Sequence, residues 1–388
     1  MNLTHHPPSP SEPTCPHLLY LSFNQTASHF CLGTDAGFRI YATNPPKLLT
    51  APTIGGIHVV EMLYATNYVA VVKRGGRGDR DKVVVWDAKL GKCVMEIMVG
   101  ERVVGVRLRR DRLVVATTSK IFVYSFSPTP ERLAVFDTLD NSLGLLSLST
   151  SPTHPAVLAF PGRSQGQIQL LDLPAHISTL TPPTHLIPAH TSPLACLALS
   201  PTGALLASAS DKGTLIRVFC TRTKRLVHEL RRGADQARIY CVAFNEAGTR
   251  VCVASDKGTI HVFHLTLSSE QQQEQPQSQQ EPHKSTLLAS LSPFLPKYFS
   301  SQWSFAQFRL ALDTRCVCAF IPEPREPARE HRETRQSVSV LCADGSLYFF
   351  SYNVDKGGEA SRDGFQRVFK GLRAVGEGEH VRWEEVDG

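Results

Sequence analysis

The chain has 388 residues, of which 42% are hydrophobic and 20% charged, and its formal net charge is +6 at pH 7. This composition is typical of a folded protein with a sizeable core, and it excludes a chain too polar to fold. No apolar run reaches the roughly 18 residues of a membrane-spanning helix. The ten cysteines lack zinc-type spacing. We therefore expect reduced core cysteines, a cytoplasmic location, and no metal or other cofactor.

Short apolar strands recur along the chain, separated by Gly, Asp, Asn and Pro, without a long stretch of helical period. They follow residues 1–16, a segment rich in Pro, Ser and His that we expect to be a disordered tail. A small turn precedes the third strand of each unit. The turns lie at Gly37, Asp81, Ser119, Gly166, Gly213, Gly258 and Gly345.

The spacing of these turns is that of a propeller. Gly37 and Gly213 are 176 residues apart, which is four units of 44, and one blade of a WD-repeat propeller has about 40–45 residues. The sequence therefore predicts an all-β fold, a seven-bladed WD-repeat β-propeller over residues 17–375. Residues 376–388 would form a C-terminal tail.

Blade 6 is predicted to contain a long disordered insertion, residues 266–302. Seven of the ten residues 271–280 are glutamine, a composition that cannot bury enough apolar area to order itself. The segment after it, through Phe305, is richer in apolar residues. We expect its last part, Tyr298 to Phe305, to pack on the edge of blade 6.

A basic step, Leu230-Arg231-Arg232-Gly233, lies midway between two copies of one pentapeptide, Ser210–Thr214 and Ser255–Thr259. The segment from Arg217 to Arg238 contains seven basic and two acidic residues, a local net charge of +5. Successive side chains of a strand point to opposite faces. Arg231 and Arg232 should therefore reach toward different flanking blades and create two anion sites. Most charge runs, however, are simply solvated faces.

These residues resemble those of the PROPPIN family, WD-repeat propellers that bind phosphoinositides. The family hallmark, Phe/Leu-Arg-Arg-Gly at the end of blade 5, reads Leu230–Gly233 in this chain. Three further segments match: Ala209–Arg217, Leu295–Phe305, and Gly55–Ile57 in blade 2. The resemblance spans roughly Leu18 to Tyr352 and is densest over blades 5 and 6.

The resemblance implies two phosphoinositide sites and a membrane-insertion loop. Site one, between blades 4 and 5, would contain His190, Ser210, Lys212, Thr214, Arg217 and Arg231. Site two, between blades 5 and 6, would contain Arg232, Ser255, Lys257, Thr259 and His261, with one arginine rather than two. The loop would insert Leu287, Leu288, Leu291 and Phe294 into the bilayer.

Each proposed ligand has a structural alternative. Ser210 and Ser255 are equally suited to closing a turn, and His190 to the structural role that a histidine has in many WD repeats. Thr214 and Thr259 suit a strand on propensity alone. The adjacent arginines are harder to explain without an anion, because the forked guanidinium matches phosphate oxygens.

By family, the chain is expected to be a non-enzymatic effector of phosphatidylinositol 3-phosphate and phosphatidylinositol 3,5-bisphosphate. It would recruit autophagy machinery, including a lipid-transfer protein through blades 2 and 3, on preautophagosomal, endosomal or vacuolar membranes. No catalytic signature is visible, and nucleic-acid binding is not expected because no stacking aromatics adjoin the arginines. The alternative is a WD-repeat scaffold whose basic rim binds an acidic peptide.

Overall fold

The structure is a computed structural model that describes residues 17–76, 78–174, 182–266, 301–311, 313–322 and 335–369, and the backbone of 373–375 and 382–384. Every helix or strand that it describes is a β-strand. Seven sheets of at least four strands follow one another along the chain. The predicted fold class, a seven-bladed β-propeller, is confirmed.

Blades 1 to 4 are each built from four consecutive antiparallel strands. Blade 1 contains β1 (Leu18–Phe23), β2 (His29–Thr34), β3 (Phe38–Ala42) and β4 (Lys47–Thr50). Blade 2 contains β5 (Ile57–Met62), β6 (Tyr68–Lys73), β7 (Lys82–Asp87) and β8 (Lys92–Met98). Blade 3 contains β9 (Val103–Arg109), β10 (Arg112–Thr117), β11 (Lys120–Ser125) and β12 (Arg132–Asp137). Blade 4 contains β13 (Ser147–Leu148), β14 (Ala156–Pro161), β15 (Gln167–Leu173) and β16 (His185–Pro188).

Blades 5 to 7 complete the ring. Blade 5 contains β17 (Leu194–Leu199), β18 (Leu205–Ser210), β19 (Leu215–Cys220) and β20 (Leu226–Arg231). Blade 6 contains β21 (Ile239–Phe244), β22 (Arg250–Ser255), β23 (Thr259–His264) and β25 (Ala306–Arg309). Blade 7 contains β26 (Cys316–Phe320), β27 (Arg335–Cys342), β28 (Ser346–Asn353) and β30 (Ser361–Arg367). A separate hairpin, β31 (Arg373–Val375) with β32 (Arg382–Glu384), lies where the propeller was expected to end and the C-terminal tail to begin.

Two short strands cross from one blade to the outer edge of its neighbour. Strand β24 (Gln302–Trp303) follows the third strand of blade 6 but pairs in parallel with β20 of blade 5. Strand β29 (Gly358–Glu359), from blade 7, pairs in parallel with β25 of blade 6. The expectation that the end of the insertion packs on blade 6 is therefore wrong for Trp303, which lies on blade 5 and is 53% exposed. Backbone pairing with the open edge of β20 decides its position.

The first strand of each blade contacts the first strand of the next, and β26 of blade 7 contacts β1 of blade 1. Apolar side chains fill the seams between blades. Phe219 packs in the core between blades 4 and 5, and Leu230 in the core between blades 5 and 6. The described cysteines are free thiols, and most are buried. Cys316 and Cys318 share one face in the core of blades 6 and 7.

Candidate functional site

The two adjacent arginines lie on opposite sides of blade 5. Leu230 is buried among residues of blades 5 and 6, so Arg231, the next residue of the strand, faces blade 4. Arg232 follows the strand, where its N–H donates to the carbonyl of Thr214 at 3.0 Å. Its charge acts on His261 of blade 6. The geometry agrees with the divergence that strand alternation predicts.

Arg231 is buried, with 8% of its surface exposed. Its Nε donates to Oγ of Ser301 at 2.7 Å, and Ser301 itself is buried. Ser301 immediately precedes β24, so the strand pairing on the outer edge of blade 5 brings this hydroxyl to the guanidinium. Ser301 lies in the matched segment Leu295–Phe305, but its sequence context predicted no role for it.

Arg217 faces the same seam as Arg231 but has a carboxylate partner. Its Nε is 3.0 Å from Oε2 of Glu229, which lies directly opposite on β20. Its Nη1 donates to the carbonyl of Ala189 at 2.7 Å. Glu229 was not anticipated as part of site one. An anion that reaches Arg217 must share this guanidinium with Glu229.

His190 lies next to Arg217 in the seam between blades 4 and 5. Its Nε2 is 2.9 Å from Oγ of Ser208. Burial, and then the charge of Arg217, lower the pKa of His190 to about 4. The ring is therefore neutral at pH 7 and can contribute a hydrogen bond rather than a charge.

The pentapeptide of site one forms a tight turn. The N–H of Gly213 donates to the carbonyl of Ser210 at 3.0 Å. Gly213 has φ +61°, and a Cβ there would lie 1.7 Å from the carbonyl oxygen of Ala237, so only glycine fits. Ser210 is buried, Thr214 half-buried and Lys212 exposed. Lys212 therefore lies on the exposed side of the turn.

Arg232 is also 8% exposed, and its described contacts are backbone carbonyls. Its Nε donates to the carbonyl of Gly213 at 3.1 Å and its Nη2 to the carbonyl of Asp235. Burial lowers the pKa of Arg232, an effect that the charges of Asp256 and Asp235 partly oppose. A bound anion would offset this burial.

His261 faces Arg232 from blade 6. Burial, and then the charge of Arg232, lower the pKa of His261 to about 4. Among the described residues, its Nδ1 and the Oδ1 of Asp256 are buried without a hydrogen-bond partner. Unsatisfied buried polar atoms are costly, so a ligand with both donors and acceptors would stabilise this seam. Asp256 was not assigned a role from the sequence.

The second pentapeptide also forms a turn. Oγ of Ser255 accepts the N–H of Lys257 at 3.5 Å, and Oγ1 of Thr259 donates to the carbonyl of Lys257 at 3.4 Å. Ser255 therefore contributes to the turn, as its structural alternative predicts. Lys257 is exposed at the rim.

A cavity of about 540 Å³ adjoins both turns. Its walls include one acidic residue from each turn, together with two basic residues. These four are Asp211, Asp256, Arg238 and Lys257. The cavity lies between the two turns, and neither Arg231 nor Arg232 is among its lining residues. The predicted insertion residues Leu287, Leu288, Leu291 and Phe294 lie outside the described residues.

The part of the chain that the structure describes contains neither a metal-binding cluster nor a membrane-spanning helix. No cluster of three or more His, Cys, Asp or Glu side chains there could hold a metal ion. No helix there has the length and apolar character needed to cross a membrane.

Comparison with known proteins identifies the family. The PROPPIN family model matches residues 17–361. The chain belongs to the PROPPIN family. Among its relatives, SVP1-like protein 2 of Pichia angusta is 37% identical over 79% of this chain and 84% of that protein. Autophagy-related protein 18e of Arabidopsis thaliana is 36% identical over 88% of this chain and 85% of that protein.

A solved PROPPIN structure shows the same fold. Kluyveromyces lactis Hsv2 superposes with a TM-score of 0.72 and 22% sequence identity, over 91% of this chain and 99% of that chain. The strand order and this superposition therefore agree on the fold, a seven-bladed propeller.

Proposed function

We propose that this PROPPIN is a non-enzymatic phosphoinositide effector, which binds phosphatidylinositol 3-phosphate and phosphatidylinositol 3,5-bisphosphate through Arg231 and Arg232. One observation carries the proposal. Two adjacent guanidinium groups are buried on opposite sides of one strand end, beside turns that present backbone and hydroxyl groups. Phosphomonoesters are the ligands that such forked donors match best.

The two seams would act together on one membrane. A single headgroup site is weak, but two sites on one rim raise the effective concentration of the second headgroup after the first binds. Exposed Lys212 and Lys257 would add attraction to an anionic leaflet, each by about 1 kcal/mol near the surface. The apolar residues Leu287 to Phe294 of the insertion remain a predicted third contact.

We also propose that the protein recruits autophagy proteins, including a lipid-transfer protein, to preautophagosomal, endosomal or vacuolar membranes. Its relatives are named autophagy-related proteins. The last strand of blade 2 supports a protein-binding surface, because Val94 and Met98 of β8 and Leu90 in the turn before it are exposed, Met98 by 65%. Exposed apolar groups that lie together often mark protein contacts.

Vesicle flotation tests lipid binding. Replacing Arg231→Thr together with Arg232→Thr should abolish flotation with vesicles that contain phosphatidylinositol 3-phosphate, because both seams lose their central guanidinium. The matched control is Arg222→Thr with Arg225→Thr, which removes two exposed charges from the turn that precedes the same strand. The control should float as the unaltered protein does.

If both double variants float equally well, the basic rim does not bind lipid through these arginines. The protein is then a scaffold, and binding of an acidic peptide becomes the function to measure. Vesicles with phosphatidylinositol 4-phosphate establish whether the 3-phosphate is required.

A further inference from the structure

Blade 6 repeats the strand pairing that places Arg231 in blade 5. In blade 5 the pairs are Ile216 with Leu230 and Leu215 with Arg231. In blade 6 the corresponding pairs are Ile260 with Phe308 and Thr259 with Arg309. The next backbone N–H is also equivalent: that of Arg232 donates to Thr214, and that of Leu310 donates to Gly258 at 2.8 Å. Arg309 therefore occupies on blade 6 the position of Arg231 on blade 5.

Strand alternation directs Arg309 into the seam between blades 5 and 6. Its neighbour Phe308 is buried in the core between blades 6 and 7, so Arg309 faces the other way, toward blade 5. Its pairing partner Thr259 and the next residue on that face, His261, face blade 5 with it. This is the seam into which Arg232 reaches.

The surroundings of Arg309 leave its charge available. Arg309 is exposed, and no ion pair to it forms within the described ranges. In site one, Glu229 lies opposite Arg217 and neutralises it. In site two, the equivalent pair is His261 with the neutral Gln307. Site two thus lacks the carboxylate that site one contains at this position.

We infer that Arg309 is a second anion-binding arginine of site two, where it binds the headgroup phosphate together with Arg232. This inference rests on the proposed function and revises the expectation that site two has a single arginine. The equivalence of Arg309 and Arg231 is not visible from the identical pentapeptides, because Arg309, the strand partner of Thr259, follows the insertion in sequence.

The test uses isothermal titration with water-soluble dibutanoyl phosphatidylinositol 3-phosphate. An Arg231→Gln background isolates site two. Adding Arg309→Gln should weaken binding in that background by at least about tenfold, the loss expected for one hydrogen bond to a charged group. Adding Arg309→Lys, which keeps the charge without the forked donors, should weaken it by a smaller factor.

The control is Arg367→Gln in the same background. Arg367 is exposed and occupies the same position on blade 7, opposite Ser346. In the seam between blades 6 and 7, however, Leu310 occupies the position that Arg232 has in site two. The control variant should bind the lipid with the same affinity as the Arg231→Gln variant. Equal affinities for the Arg309→Gln variant and the background would overturn the inference. Should Arg309→Gln fail to fold, an Arg309→Lys affinity equal to the background would overturn it too.

The proposed function fails in a different way. It fails if the unaltered protein shows no saturable binding of the same lipid, whatever residue occupies position 309. Saturable binding by the unaltered protein with no effect of position 309 rejects only the role of Arg309.

Discussion

Each of the two seams contains one histidine that is neutral at pH 7. His190 and His261 both have a pKa of about 4, because burial, and then a neighbouring arginine, disfavour the protonated ring. A neutral imidazole can accept or donate a hydrogen bond without adding charge to a site that is already basic. The neutral charge of these two rings would also limit the electrostatic repulsion between the two seams before an anion binds.

The lowered pKa values make stability depend on pH. An unfolded histidine takes up its proton near pH 6.5, whereas the folded ones resist protonation until about pH 4. Lowering the pH from 6.5 to 4 therefore lowers the free energy of unfolding, because the unfolded chain binds more protons than the folded protein. Replacing both residues, His190→Gln with His261→Gln, should flatten the loss of stability between pH 6.5 and 4. Urea unfolding at several pH values measures it, and a slope equal to that of the unaltered protein contradicts the assignment.

At the scale of the element, β24 connects the end of the insertion to site one. It adds a parallel strand to the edge of blade 5 and places the Ser301 hydroxyl 2.7 Å from Nε of Arg231. An open sheet edge is normally protected by some covering element. Here the covering strand also contacts Arg231, an arginine of proposed site one, so edge protection and the geometry of that site depend on the same segment.

Ser301→Ala should lower the free energy of unfolding by about 1–3 kcal/mol, because a buried charged donor loses an acceptor. It should also weaken lipid binding at site one, since Arg231 loses the hydrogen bond from its Nε to Ser301. Urea unfolding and titration in an Arg232→Gln background measure the two effects. Ser304→Ala, a half-buried serine two residues beyond Gln302, is the control. Equal results for the two serines would show that the Ser301 hydroxyl contributes nothing.

The features that the sequence could predict are those that depend on spacing between residues close together in the chain. The blade repeat and the divergence of Arg231 and Arg232 follow from spacing within one strand or one unit. The contact of Ser301 with Arg231 joins residues 70 positions apart across the insertion, so no local pattern contains it. The identical pentapeptides were also misleading, because β19 begins at Leu215 whereas β23 begins at Thr259. Thr214 and Thr259 are therefore not equivalent in the sheet.

At the scale of the whole molecule, the ring closes by side-chain contact between blades 7 and 1. All four strands of blade 1 come from one end of the propeller, and all four of blade 7 from the other. The hydroxyl of Tyr41 donates to the carbonyl of Val368 at 3.2 Å. The guanidinium of Arg39 lies 4.8 Å from the ring centroid of Phe369, which is buried in the closing core.

Phe369→Ala should therefore lower the free energy of unfolding by about 3–5 kcal/mol, the usual result of removing a buried aromatic ring. Phe365→Ala, where the ring is 52% exposed, should change stability by about 0.5 kcal/mol or less. Thermal unfolding compares the two, and hydrogen exchange should show loss of protection in β1 for the first variant. Similar unfolding temperatures would mean that Phe369 does not hold the closing seam.

The two crossing strands make two of the seams between blades more resistant to force than the closing seam. Strands β24 and β29 clamp blade 5 to blade 6 and blade 6 to blade 7, while the closing seam relies on side chains. Tension applied between β1 and β30 would thus part blade 1 from blade 7 first. The arc of blades 5 to 7, which contains Arg231, Arg232 and Arg309, would stay assembled, so both proposed headgroup sites would survive the opening of the ring.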